Sequence, residues 1–390
     1  MSIFYDLELK DWFTLSNKQS ITLGSNKHPV TMICSAPARS LPLHISPQKE
    51  IPLIGILTGR KKDNKVTGNG RLFKELQKEI MKNGGISIVF TPQNINDHSI
   101  KGYMYLPIKD KWYSIKCPLP HVVYNRVPFR ILEKSDSFFE AYQFFKSKNI
   151  PFFNTCFLDK HEFYQVFSED PYFQKLMPET IKIHEKLPLE NFFKKHNQLY
   201  LKPSLGSKGK GIYLASLNKD STINLLGHEE LLQYEDFHTF WMNWNSVLLK
   251  KSYIAQNAVE PLLYNGKRFD FRILVHYVNN QYKVTGVGIR QSREQNVTTH
   301  VPKGGIILPY KQLQSKEHDQ FITEVSQRAG KLLSKEIGFF GEFSIDAGIS
   351  ADGRYVVYEI NSKPMRFDEQ EIERKRLQTL TCLFLDLAGF

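Results

Sequence analysis

Near the C-terminal end, the stretch YVVYEINSKP carries Glu359 and Asn361 two residues apart. Side chains two apart on an extended strand project from one face, so this carboxylate and this amide can share one ligand. Upstream, EFSIDAG puts Glu342, Ser344 and Asp346 on one face against Phe343 and Ile345 on the other. The turn SADGR joins the two segments, and a hairpin would gather Asp346, Glu359 and Asn361 as three oxygen donors. Hard cations such as Mg²⁺ take oxygen ligands, commonly one or two carboxylates completed by substrate phosphates. The plain alternative is two solvated charges and a turn-forming asparagine before Pro364, and short motifs match by chance often enough to favour it for an isolated pair.

Two further stretches bear on the same chemistry. In KPSLGSKGKGIY, Gly206, Gly209 and Gly211 expose backbone N–H groups between two strands, and Lys208 and Lys210 add positive charge. The G-x-x-x-x-G-K-[ST] order is absent, so this is not a Walker A loop, and taken alone it reads as an ordinary surface loop. Lys202 is more telling, because it leaves the apolar strand LYL beside that loop and can sit on phosphates. In KRFDFRILVHYV, Asp270, Arg272 and Leu274 share one face and Phe269, Phe271, Ile273 and Val275 the other. Charges so flanked must be paired or face a cleft, and an Asp–Arg cross-strand pair accounts for them equally well. Arg290 on the next strand adds a guanidinium able to hold a phosphate or carboxylate bidentately. His121, His184, His228 and His300 show no metal-ligand spacing, and no H-E-x-x-H or G-x-S-x-G signature occurs, which disfavours nucleophilic covalent catalysis.

These groups need a framework. The 390 residues, 41% hydrophobic and 13% aromatic, suit a globular protein of two or three domains' worth of core. The formal net charge of +12 is scattered through GRKKDNK, FKKHN and ERKRLQ, so anionic partners are favoured only generally, and no basic stripe marks a specific nucleic-acid binder. Cys34, Cys117, Cys156 and Cys382 lie far apart without a C-x-x-C pair, as suits a reducing compartment. No signal peptide or spanning segment is seen, so cytoplasmic synthesis without a membrane partner is expected.

Three regions are expected. Residues 1–50 are turn-rich with short apolar pieces and suggest a β-rich extension. Residues 51–150 read as an α/β unit: IPLIGILTG and ISIVFTP as strands, and between them a helix with Leu72, Leu76, Ile80 and Met81 at helical spacing and Gly84 at its stop. Residues 151–390 read as α+β with antiparallel neighbours. A long helical pattern is expected over HEELLQYEDFHTFWMNWNSVLLKK.

Taken in order, LDK, LYLKPSLGSKGKG, AQNAVE, FDFRILV, IRQ…KGG, FSIDAG and YEINSKP resemble the sequence of an ATP-grasp ligase domain. The resemblance is closest to the YheC/YheD group, associated with endospore coats, with RimK-like amino-acid ligases more distant. It implies an α+β ATP-grasp fold preceded by an α/β domain. It implies that Lys160 and Lys202 bind ATP phosphates, that Ser207, Lys208 and Gly209 form a lid, and that Gln256, Asn257 and Val259 belong to the linker receiving adenine. Asp346, Glu359 and Asn361 would hold Mg²⁺, while Asp270, Arg272 and Arg290 line the cleft between nucleotide and acceptor. The implied reaction joins a small-molecule or peptide carboxylate to an amine through an acyl phosphate. Two positions depart from the pattern: His300 stands where the family usually has asparagine, and Asn257 where ligase relatives often carry glutamate. The competing reading is a nucleotide-binding or structural spore-coat module without turnover.

Overall fold

The computed structural model describes residues 2–15, 20–46, 49–61, 63, 65–205, 210–227, 230–292 and 305–390. Four main sheets carry the chain. The first, in the order Ser40–His44, Ser2–Asp6, Trp12–Thr14, His28–Met32, Ile21–Leu23, Glu50–Ile51, is built of short strands, of which Trp12–Thr14, Ile21–Leu23 and Ser40–His44 alternate buried with more exposed side chains. Its inward residues Ile3, Tyr5, Trp12, Leu41 and Leu43 share one apolar cluster with Leu53, Ile86, Ile88 and Phe90 of the second sheet. The Trp12 indole donates to the Lys116 carbonyl (3.2 Å) and the Tyr5 hydroxyl accepts from the Lys116 N–H (2.8 Å), so the two polar tips are satisfied where they enter the core.

In the second sheet Leu53–Leu57 lies between Ile86–Phe90 and Val122–Asn125, parallel to both, and Phe152–Phe153 extends it in parallel. Every residue of these three longer strands is buried, as expected where both faces are covered. One cover is the helix Gly70–Lys82, whose Leu72, Leu76 and Ile80 meet Ile54 and Ile56. The C-terminal helix Gln370–Ala388 closes on the same surface through Leu380, Leu383 and Phe384. The last helix of the chain thus packs against a strand laid down more than 300 residues earlier in sequence.

The remaining sheets are antiparallel. One runs Thr180–Lys182, Tyr253–Asn257, Gln198–Pro203, Tyr213–Leu217, Ile223–Leu226, Leu231–Tyr234, backed by the helices Lys186–His196 and Phe237–Lys250. Here the expected long helix is corrected: Leu231–Tyr234 is an edge strand, and the helix begins only after Asp236, whose carboxylate accepts from the Thr239 N–H (2.7 Å). Leu231, Leu232 and Tyr234 satisfy either periodicity, and the aspartate cap decides where the helix starts. The other sheet runs Ile306–Leu308, Gln281–Gln291, Lys267–Val278, Glu342–Ile349, Tyr355–Asn361. One face packs Phe271, Ile273, Val275, Phe343 and Ile345 on the helix Lys316–Glu336. The opposite face carries Asp270, Arg272 and Asp346 toward the first of these two sheets.

Candidate active site

The hairpin forms, with one break in its period-2 pattern. Asp346 stands directly opposite Glu359, and Ser344 opposite Asn361. A bulge after Asp346 makes Tyr358 an extra residue on the second strand. Two consecutive side chains, Tyr358 and Glu359, consequently both line the cleft, which a regular strand would forbid. The Asn361 amide donates to Asp346 Oδ2 (3.1 Å), the Arg272 guanidinium lies 3.5 Å from Asp346 Oδ1, and the Lys160 ammonium lies 2.6 Å from Glu359 Oε1.

The two lysines arrive from different elements and are tied together. Lys160 opens the helix Lys160–Ser168, and Asp159 caps it by accepting from the N–H of His161 (2.7 Å). The same Asp159 oxygen accepts from the Ser204 hydroxyl (2.5 Å), two residues beyond Lys202. One carboxylate therefore fixes the helix start against the end of the strand Gln198–Pro203. Lys202 donates to the Gln256 side-chain oxygen (2.5 Å), and the Gln256 amide nitrogen donates to Thr180 Oγ1 (3.1 Å). Burial, with help from the Lys160 and Arg268 charges, pulls the Lys202 ammonium down to about 8 against the opposing pull of Glu359 and Asp270.

Between the sheets lies a cleft of roughly 850 Å³, part of it open to solvent, lined by Lys202, Gln256, Asn257, Val259, Asp270, Arg272, Arg290, Asp346 and Glu359 among others. Lys160 and Lys202 also line a smaller adjoining chamber with Glu359. The structure thus gathers nine of the expected residues in the cleft, with Lys160 and Asn361 at its edge through their contacts to Glu359 and Asp346. Ser207, Lys208 and Gly209, and the departure at His300, lie outside the described residues. The backbone around the linker is engaged: the Asn257 N–H donates to the Glu179 carbonyl (2.8 Å) and the Ala258 N–H to that of Gln198 (3.0 Å). Arg290 differs from expectation, since Glu369 already holds it bidentately at 2.6 and 3.0 Å.

The family model for YheC/D-like ATP-grasp proteins matches residues 149–386, well over half of the chain. The chain belongs to the YheC/D-like ATP-grasp family. It is 26% identical over 340 residues to the endospore coat-associated protein YheD of Bacillus subtilis (strain 168), covering 81% of this chain and 73% of that one. To YheC of the same organism it is 22% identical over 309 residues, covering 75% and 84%. Its fold is that of ATP-grasp ligases. D-alanyl-alanine synthetase A from Vibrio cholerae O1 superposes with a TM-score of 0.54 at 10% identity, over 87% of this chain and 99% of that one. The ATP-grasp ligase PsnB, complexed with a phosphomimetic variant of its minimal precursor, Mg and ADP, does so with a TM-score of 0.51 at 13% identity, over 86% and 98%.

For this YheC/D-like chain the donor set suits a hard cation only in part. Among the described residues no group of three or more His, Cys, Asp or Glu side chains gathers into a cage. Two carboxylates and one amide oxygen would leave most of an octahedral shell to phosphates and water, which is how Mg²⁺ is commonly held. Sequence reasoning passed over Arg268, Tyr200 and Tyr358. Arg268 donates to the Tyr200 hydroxyl (2.8 Å), lies over both rings (5.9 and 5.5 Å) and sits 3.5 Å from Asp270. Arg268 shares the strand parity of Asp270 and Arg272, and that was the available signal. Glu369, on the segment after the Asp346–Glu359 hairpin, had none.

Proposed function

We propose that the protein is an ATP- and Mg²⁺-dependent carboxylate–amine ligase, with turnover serving a coat-associated role of the kind its relatives' names describe. The single observation that supports this most is the contact of Lys160 with Glu359 at 2.6 Å, which joins a phosphate-binding lysine to the opposed Asp346–Glu359 pair in one cleft. Mg²⁺, when bound by Asp346, Glu359 and Asn361, would neutralise charge on the triphosphate. Lys160 and Lys202 orient its phosphates, and the linker Gln256–Val259 faces the base. Arg272, which lines the same cleft, would steady the γ-phosphoryl group as a substrate carboxylate oxygen attacks its phosphorus. The bond from that phosphorus to the β-bridging oxygen breaks, giving ADP and an acyl phosphate. An amine then attacks the carbonyl carbon, phosphate leaves, and the amine's proton passes to solvent. Such chemistry asks for positioning and charge neutralisation more than for a protein nucleophile.

The test is Mg·ATP turnover against a panel of amino acids and acidic peptides, with ADP and AMP measured separately. Acceptor-dependent ADP and phosphate support the ligase. AMP formation overturns the acyl-phosphate route. Tight nucleotide binding without turnover on any acceptor would leave the structural coat module as the function.

A further inference from the structure

The two cleft arginines differ in a way that assigns them different work, and the inference rests on the phosphoryl-transfer reading above. Arg272 stands opposite Gly288, and Arg290 lies two residues further along the same neighbouring strand. The guanidinium groups are therefore diagonal neighbours on one sheet face, where like charges repel. Three features hold them. The ring of Phe367, itself fully buried, lies 5.3 Å from the Arg272 guanidinium and 6.0 Å from that of Arg290. Glu369 grips Arg290 with both oxygens, and Asp368 adds a contact at 3.4 Å. Gly288 leaves the room they occupy, since a Cβ there would come within 2.4 Å of a Glu369 oxygen and 2.8 Å of Arg290 Nη1.

Phe367 and Glu369 are in turn anchored to the strand that bears Asp346. The Phe367 N–H donates to Glu373 (2.8 Å), Glu373 accepts from Arg376 (3.1 Å), and Arg376 holds Glu342, four residues before Asp346. Arg290 is balanced by a dedicated carboxylate. The carboxylate near Arg272 among the described residues is Asp346, already claimed for the cation.

We propose that Glu369, Phe367 and Arg290 are positioning residues that form a charge-balanced wall, and that Arg272 is the guanidinium they aim at the transferring phosphoryl group. Arg290 meets no substrate atom. Glu369 cancels its charge so that it can stand beside Arg272, and Phe367 fixes the plane of both.

The experiment has two arms on the full chain. The first measures melting temperature without nucleotide for the unaltered protein, Glu369→Gln, Arg290→Met and the double variant. Glu369→Gln leaves a buried guanidinium with only the longer, more exposed contact to Asp368 and should lower the midpoint, while the double variant removes both charges and should recover it. A double variant no more stable than Glu369→Gln overturns the wall. The second arm measures dissociation constants of Mg·ATPγS and Mg·ADP. Arg272→Met should reduce the preference for the triphosphate by about tenfold or more, as expected for losing a charge-assisted contact. The double Glu369→Gln/Arg290→Met variant should reduce it by a smaller factor. A loss equal to that of Arg272→Met would make Arg290 the direct contact, and an unchanged preference would make the pair purely structural. Either result overturns the assignment. Failure of the unaltered protein to bind either nucleotide would overturn the cleft reading itself, which the first arm does not depend on.

Discussion

Glu342 and Asp346 sit on one face of one strand, four residues apart, and the molecule uses them oppositely. Glu342 is fully buried and saturated: Tyr124 donates to it at 2.7 Å, Arg376 through two nitrogens, His276 lies at 3.2 Å and Arg126 at 3.6 Å. Against the cost of burial, the Arg376 charge and the His276 contact hold its carboxyl well below the usual range. Asp346 instead lines a cleft, with Arg272 at 3.5 Å and the exchangeable amide of Asn361. A fully buried carboxylate saturated by several donors ties elements together, whereas one that lines a cleft and is only partly buried can take a ligand. Burial and saturation separate structural from functional charge here, and residue type does not.

The largest effect should come at the saturated end. Arg376→Met leaves Glu342 charged, buried and short of its main partner, and should cost about 3–5 kcal/mol in urea unfolding. A loss under about 1 kcal/mol would erase the contrast, since surface pairs already cost that little. At the open end, Glu359→Gln should lower acceptor-dependent ADP formation on the order of a hundredfold while the melting midpoint stays near that of the unaltered protein. A midpoint falling as far as with Arg376→Met would place Glu359 in the structural class.

Lys202 sharpens the comparison through pH. Its folded value of about 8 lies below the unfolded lysine value of ~10.4, so the native state binds fewer protons between them and stability should rise with pH across that window. If Lys202 binds the phosphates as proposed, nucleotide affinity should move the other way, falling as pH climbs past about 8 and its ammonium loses its proton. Lys202→Ala should weaken binding by about tenfold and abolish this step in calorimetric titrations across pH. A step that survives the substitution belongs to another group. The smallest change is expected from Lys210→Ala, exposed beyond the glycine-rich stretch, which should alter stability by no more than about 0.5 kcal/mol.

Much of the site was legible from local rules. The segments EFSIDAG and YVVYEINS, with SADGR between them, announce a hairpin that brings Asp346 near Glu359 and Asn361, but the register set at the turn would oppose Asp346 to Tyr358, and only the bulge puts Glu359 there. Alternation separates Asp270 and Arg272 from the core face of Phe271 and Ile273. Local rules stop where a side chain's surroundings come from afar. Glu342 shares every sequence feature of Asp346, yet it is sealed by Tyr124, 218 residues away, and by Arg376, 34 away. Arg290 looked open to an anion, yet its carboxylate arrives from Glu369, 79 residues on. Which charges pair was decided only when the C-terminal helix closed over the parallel sheet, because the cost of burying a charge depends on everything packed around it. The chain alone determined which side chains face one way; the tertiary structure decided which of them remain available to a ligand.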